Sequence, residues 1–153
     1  MASVVFNVAK GKVGYYSMLP AANDALVVVP IQTTGIVTDA VMIDYPDLAT
    51  LLAGACDEQT TMGRKTAGSV TSTPDYTNDW TNADFADVTW LAATGNAVSA
   101  LVVCYVPDTT AGGLVAGAYD SSVVPLTKHD FVVTPNGGDI VAQVATAGFF
   151  RAA

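Results

Sequence analysis

Four side chains in the second half of the chain are of the types that hydrolytic chemistry needs. They are Ser121, Ser122, His129 and Asp130, and together they could supply a Ser-His-Asp relay. However, His129 and Asp130 are adjacent at the start of an expected strand, so their side chains should point to opposite faces of a sheet. The chain also lacks a Gly-x-Ser-x-Gly sequence to present a nucleophile. We therefore predict that the protein is not an enzyme and that His129 lies in a solvated turn.

A second set of residues could bind a cation. Asp75, Asp79, Asp84 and Asp87 lie within thirteen residues, and oxygen-rich loops can hold Ca²⁺. Their spacing lacks the alternating ligands, central glycine and final glutamate of an EF-hand. We expect these carboxylates to cap turns, with a calcium site as the alternative. One histidine and two cysteines cannot supply the four ligands of a usual zinc site, so no metal or cofactor is predicted.

The Asn-Gly-Gly-Asp motif at residues 136–139 is the clearest local signal in the sequence. Asparagine and glycine accept the positive φ of a tight turn, so the motif predicts a hairpin between strands at 131–133 and 140–144. A phosphate-binding loop also uses glycines, but it requires a following helix and usually a lysine. Neither is present here.

The charge of the chain is strongly negative. Six Lys and Arg residues oppose fourteen acids, giving a formal net charge of −8, and no basic residue lies between Lys65 and Lys128. Nucleic acid and anionic membrane surfaces both require clustered cations. We therefore predict neither as a partner.

The composition is also unusually apolar. Hydrophobic residues make up 51% of the chain and charged residues 13%, against about 25% charged in a typical soluble domain. This is more apolar surface than a small monomer readily hides, so we predict self-association, with a trimer favoured by closed cyclic symmetry.

The N-terminal residues lack the basic and apolar regions of a signal peptide. The apolar run at 25–31 is far shorter than the about 20 residues that span a bilayer. We therefore expect synthesis in the cytoplasm, which is a reducing compartment. In that setting Cys56 and Cys104 should be free thiols.

Short β-favouring runs bounded by turn residues dominate the rest of the sequence. The pattern predicts a mainly β, single-domain protein covering residues 1–153, an antiparallel β-sandwich or barrel. One short helix is predicted at 46–53, with Pro46 as its first residue and Gly54 ending it. The predicted strands include residues 25–31, 87–91, 97–106, 130–133 and 140–144.

Residues 57–84 are rich in Thr, Ser, Asn, Asp and Gly, and they predict a long loop or arm. Trp80 and Phe85 could anchor this arm on a neighbouring subunit. Near the end of the sequence, Phe149 and Phe150 could cover the edge of the sandwich or insert into a neighbour. These four aromatic residues are the candidate inter-subunit contacts.

Six segments in order along the chain carry a resemblance to a known group of proteins. They are MASVVFN at 1–7, DALVVV at 24–29, ADVTW at 86–90, ALVVCY at 100–105, NGGDI at 136–140 and GFFR at 148–151. As a set they resemble small virion structural proteins of tailed bacteriophages.

The resemblance implies a non-enzymatic, high-copy component of a phage particle. Its most direct form is a capsid decoration or cement protein that binds the major capsid protein from outside and stabilises the shell. A tail or neck component is the first alternative. The second is a carbohydrate-binding or adhesin-type β-sandwich, for which Tyr76 and Trp80 would be the aromatic platforms.

Overall fold

The computed structural model describes residues 3–152, and within that range the chain forms ten strands and three short α-helices. The strands are β1 (Ser3–Val5), β2 (Ala25–Gln32), β3 (Lys65–Thr66), β4 (Thr71–Asp75), β5 (Trp80–Asp84), β6 (Val88–Trp90), β7 (Val98–Val106), β8 (Val124–Val133), β9 (Ile140–Ala142) and β10 (Phe150–Ala152). The helices are α1 (Val13–Tyr16), α2 (Asp39–Met42) and α3 (Leu48–Gly54).

The strands form three sheets, and every strand pair is antiparallel. The central sheet has the order β1-β8-β7-β2-β3. A three-stranded sheet with the order β10-β5-β4, called here the outer sheet, and the two-stranded ladder β6-β9 complete the set. The predicted mainly β, sandwich-like fold with few helices is confirmed.

The central sheet is buried on both faces because alternate residues of its middle strands enter two different apolar cores. In β2, Leu26 and Val28 belong to the first core. Their neighbours Val27 and Val29 belong to the second. This double burial explains why β2 and β7 appear in the sequence as continuous apolar runs instead of alternating ones.

Different layers cover the two faces. The first core contains Phe85, which directly follows β5 of the outer sheet, and Trp90, which belongs to β6 of the two-stranded ladder. The second contains Met42 from α2 and Leu48 and Leu51 from α3. Much of the apolar composition is therefore used inside a single chain.

Helix α3 is the helix that the sequence predicts, but its start differs from the prediction. Pro46 is not its first residue, because Asp47 is the N-cap and the helix begins at Leu48. The Asp47 carboxylate accepts a hydrogen bond from the Thr50 backbone N–H at 2.8 Å. An aspartate in this position satisfies one of the free N–H groups of the first turn.

The segment at 57–84 contains three strands, whereas its polar sequence predicts a loop or arm. Strand β3 pairs with β2 and extends the central sheet, and β4 and β5 form a hairpin. Met62 and Ala67 are buried in the first core. The longest stretch of this segment that is exposed at every residue is the hairpin tip at 76–79.

Arg64 ties this segment to the turn at Ala118–Ser122. Its guanidinium donates two hydrogen bonds to the Glu58 carboxylate, at 2.9 and 2.7 Å. It donates two more to the Asp120 carboxylate, at 2.6 and 2.8 Å. The three side chains are 1%, 5% and 7% exposed. The planar fork of arginine suits two-pronged bonding of this kind, which lysine cannot provide.

The predicted hairpin at 136–139 is wrong. The turn is present, but it leads from the central sheet to the small ladder, since β8 pairs with β1 and β7 and β9 pairs with β6. Gly137 has a φ of +90°, and its N–H donates to the Ala93 carbonyl at 2.8 Å. The Asp139 carboxylate accepts from the Ala92 N–H at 2.8 Å. A positive-φ turn thus joins two sheets instead of two adjacent strands.

Cys56 and Cys104 are both buried and free, as predicted. Within residues 3–152, none of the helices has the length and apolar character needed to cross a bilayer.

Candidate functional site

The outer sheet presents one face to the core and one face outward. Ala83 of β5 is buried, and Phe150 of β10, which lies opposite it, packs against the first core. Because side chains alternate along a strand, the neighbouring residues Asn82 and Arg151 lie on the outward face. Asn82 and Arg151 are also paired across the two strands. We call this outward face, together with the hairpin tip, the outer surface.

Trp80 and Arg151 form the centre of the outer surface. The Arg151 guanidinium lies over the Trp80 ring, 3.8 Å from its centroid, in the arrangement of a cation–π contact. Arg151 Nε also donates a hydrogen bond to Asn82 Oδ1 at 3.0 Å. Both partners therefore hold the long arginine side chain in place, which lowers the entropy cost of using it in binding.

The hairpin tip adds an aromatic residue beside this pair. Tyr76 is 88% exposed. It follows Asp75, whose carboxylate accepts hydrogen bonds from the Asn78 side chain at 2.9 Å and the Thr77 N–H at 3.0 Å. The hydrogen bond from the Asn78 side chain is the main cause that holds the pKa of Asp75 below its ordinary value. The tip is therefore an ordered turn.

Two of the four aspartates of residues 75–87, Asp75 and Asp84, cap local backbone N–H groups as expected, whereas Asp87 bonds a distant part of the chain. Besides Asp75, the Asp84 carboxylate accepts from the Phe85 N–H at 2.8 Å. The Asp87 carboxylate accepts from the Val144 N–H at 2.8 Å. Among residues 3–152, no cluster of three or more His, Cys, Asp or Glu side chains is arranged to hold a metal ion.

Of the four aromatic residues expected at subunit contacts, three pack against the core of the same chain. Phe85 is 7% exposed, and its ring lies 4.9 Å from that of Phe149. Phe149 and Phe150 both pack against the first core, which is the first of the two placements that the sequence left open, and their contact with a neighbouring subunit stays a prediction. Trp80 is the one of the four that lies on the outer surface.

The C-terminal segment reaches the outer sheet through a close backbone contact at Gly148. Its φ is +82°, and a Cβ at this position would lie 2.2 Å from the Ala83 carbonyl oxygen. Only glycine allows both the conformation and the approach. The next residue, Phe149, then donates its N–H to the same Ala83 carbonyl at 3.0 Å. This contact fixes the position of β10 and hence of Arg151.

His129 does not lie in a solvated turn, which corrects the sequence-based expectation. It is within β8, partly buried between layers, and its ring meets the Phe149 ring edge-on at 6.4 Å. Its Nε2 is 2.9 Å from Thr127 Oγ1. Lys128, next to it, donates to Asp130 and, at 2.9 Å, to Asp39 of α2. His129 and Asp130 thus face different layers, as their adjacency predicts.

The sequence did not single out Arg151 as part of a site. Arg151 becomes part of the outer surface only because β10 pairs with β5, which places Arg151 opposite Asn82. A pairing between residues 69 positions apart leaves no local sequence signal. Comparison of the chain with protein-family models, curated proteins and solved structures finds no match in any of the three.

Proposed function

We propose that this protein is a capsid decoration or cement protein of a tailed bacteriophage, attached to the major capsid protein through its outer surface. The observation that carries the proposal is the grouping of Trp80, Tyr76 and Arg151 on and beside one small exposed sheet. Trp, Tyr and Arg are the residue types most enriched among those that dominate protein–protein binding energy. The resemblance of the sequence to virion structural proteins supplies the identity of the partner.

The architecture supports a role as a rigid structural component, not one that depends on a conformational change. The central sheet is buried on both faces, and a buried ion triad joins two distant parts of the chain. The formal net charge of −8 disfavours contact with packaged DNA and suits the exterior of a shell.

The first test is stoichiometry in purified virions, measured by quantitative mass spectrometry. A decoration protein should be present in a copy number comparable with that of the major capsid protein. A copy number far below this would instead support the tail or neck alternative. Absence from virions would overturn the structural role.

The second test addresses the outer surface itself. Trp80→Ala should weaken attachment to shells that lack the protein by about 2 kcal/mol or more, roughly thirtyfold in affinity, in a co-sedimentation assay. Leu91→Ala is the matched control, because Leu91 is 73% exposed but follows β6, outside the outer sheet. Equal attachment of the two variants would contradict the assignment of this surface.

A shallow depression at the tip favours one other candidate, a carbohydrate-binding protein. Tyr76 and Trp80 line it together with the carboxylates of Asp75 and Asp79, and aromatic faces with nearby carboxylates suit sugar rings. Arg151 already covers one side of the Trp80 ring, which leaves less of it for a sugar. Binding on a glycan array that Tyr76→Ala abolishes, in a protein that does not attach to shells, would support this candidate instead.

A further inference from the structure

A cavity of about 250 Å³ lies between the central sheet and the C-terminal segment, on the side of the first core. Val28, Leu101 and Val103 of the central sheet line one side of it. Phe85 and Phe149 line another. The cavity is distinct from the outer surface, and no step of the proposed attachment uses it.

We propose that this cavity binds a small, mainly aromatic ligand that carries one hydrogen-bond donor directed at His129. The inference does not rest on attachment to a shell. It rests on the size of the cavity, on the chemistry of its lining and on the way the chain leaves it accessible.

The size of the cavity sets the size of the ligand. An apolar cavity of about 150 Å³ in a protein interior stays dry and binds benzene. At about 250 Å³, the present cavity can hold a bicyclic aromatic of roughly ten heavy atoms by the same measure. The aromatic rings of Phe85 and Phe149 offer edges and faces for stacking.

The lining is mainly apolar, with Gln143 at the exposed rim and His129 as the polar side chain on the central sheet. His129 lines the cavity, and its Nε2 is engaged with Thr127 Oγ1 at 2.9 Å. The other ring nitrogen has no hydrogen-bond partner among residues 3–152. When Nε2 carries the proton, Nδ1 is an acceptor, so a ligand N–H or O–H matches it. Apolar pockets with few, placed polar groups are the usual form of small-molecule sites.

The chain leaves a route into the cavity. The segment at 143–149 forms its rim and is fixed at two places. The Val144 N–H donates to Asp87 at 2.8 Å, and the Phe149 N–H donates to Ala83 at 3.0 Å. Between them, residues 145–147 are exposed. A ligand can therefore enter beside this short stretch without opening a sheet.

The test compares indole with indene, which have the same shape but differ in the N–H donor. In a ¹⁵N-resolved NMR titration of the full chain, indole should shift the amides of cavity-lining residues and bind at least threefold more tightly than indene. In His129→Leu, both should bind with equal affinity. No shifts at millimolar indole, shifts confined to other regions, or equal affinities in the wild type would overturn the proposal.

A filled cavity provides the control. Ala142 lines the cavity and is 8% exposed, so the larger side chain in Ala142→Phe should fill the cavity. Val144→Phe is a second variant in case the first does not fold. Val132→Phe changes a residue that is 86% exposed and does not line the cavity. Binding should be lost in a folded filled variant and kept in Val132→Phe, and binding retained in a folded filled variant would overturn the proposal.

Discussion

Arg64 supplies the positive charge that balances two buried carboxylates, those of Glu58 and Asp120. In Arg64→Leu, Glu58 and Asp120 would remain buried beside each other without a counter-charge. Removing one partner of a buried ion pair costs about 3 to 5 kcal/mol. We expect the free energy of unfolding, measured by urea denaturation, to fall by about that amount. The exposed Lys10→Leu should change it little, and a similar small change in Arg64→Leu would contradict the structural role of the triad.

His129 makes stability depend on pH in a defined window. Burial lowers the pKa of His129 below its ordinary value of 6.5, with Asp130 opposing the shift and Lys128 reinforcing it. Below pH 6.5 the unfolded chain therefore binds a proton that the folded chain still excludes, so stability decreases as pH falls from 6.5 towards the pKa of the folded state.

Urea denaturation between pH 5.5 and 7.5 measures this effect. The wild type should lose stability on the acidic side of the window, and His129→Leu should be flat by comparison. A parallel slope in the two proteins would show that another group is responsible. Above pH 6.5 the contribution of His129 should be constant.

The two cysteines should be inert in the folded protein. Burial, with the nearby charges of Asp57 and Glu58, raises the pKa of Cys56 to about 12. Burial also raises the pKa of Cys104. Because the thiolate is the reactive form, a disulfide-exchange reagent at pH 8 should detect no thiol in the native state and two in urea. Rapid reaction of the native protein would contradict the observed burial.

At the scale of elements, we expect the tip of the β4–β5 hairpin to be dispensable for folding and the rest of the segment at 57–84 to be required for it. Replacing residues 76–79 by Asn-Gly should keep the fold, because Asp75 and Trp80 are already paired and a two-residue turn of this type suits a hairpin. The melting temperature should stay within a few degrees, whereas shell attachment should fall.

Deleting the whole segment at 57–84 is the contrasting variant. It would remove Arg64 and the buried Met62 together with β3 and the hairpin, so we expect loss of the cooperative unfolding transition. A folded deletion variant, shown by circular dichroism and a sharp thermal transition, would mean that this segment is an appendage after all.

The sequence predicted those elements whose burial can be recognised from the hydrophobic pattern of their own residues. Strands β2 and β7 follow from continuous apolar runs, and α3 follows from its leucine spacing and its terminal glycine. Strands β4 and β5 were missed because threonine, aspartate and asparagine dominate them. Their stability comes from pairing and from the contact of Ala83 and Phe150 with the core, which the local sequence does not encode.

The turn at 136–139 shows a second limit. Asn and Gly specify the backbone conformation of the turn. They do not specify which strand the residues after the turn will pair with. Here the residues after the turn pair with β6, some 50 positions earlier in the chain. The outer surface has the same character, since Arg151 meets Trp80 only after β10 has joined β5.

For the whole molecule, self-association stays a prediction, with a trimer expected. Two internal cores account for much of the apolar composition, so the support for association now lies with the exposed aromatic and arginine side chains of the outer surface. Sedimentation equilibrium at micromolar concentration should give about three times 15.7 kDa. A monomer both in solution and on particles would contradict it.

The pairing of the central sheet has a consequence for how the protein is made. Ser3 lies opposite His129, and β2 lies beside β7, so the sheet is built from contacts between distant parts of the chain. Such topologies fold slowly, in milliseconds to seconds. At a synthesis rate of about 5 to 20 residues per second, β2 leaves the ribosome several seconds before β7. An apolar strand without its partner is prone to aggregate, so the yield of soluble protein should rise with the supply of chaperones that shield nascent chains.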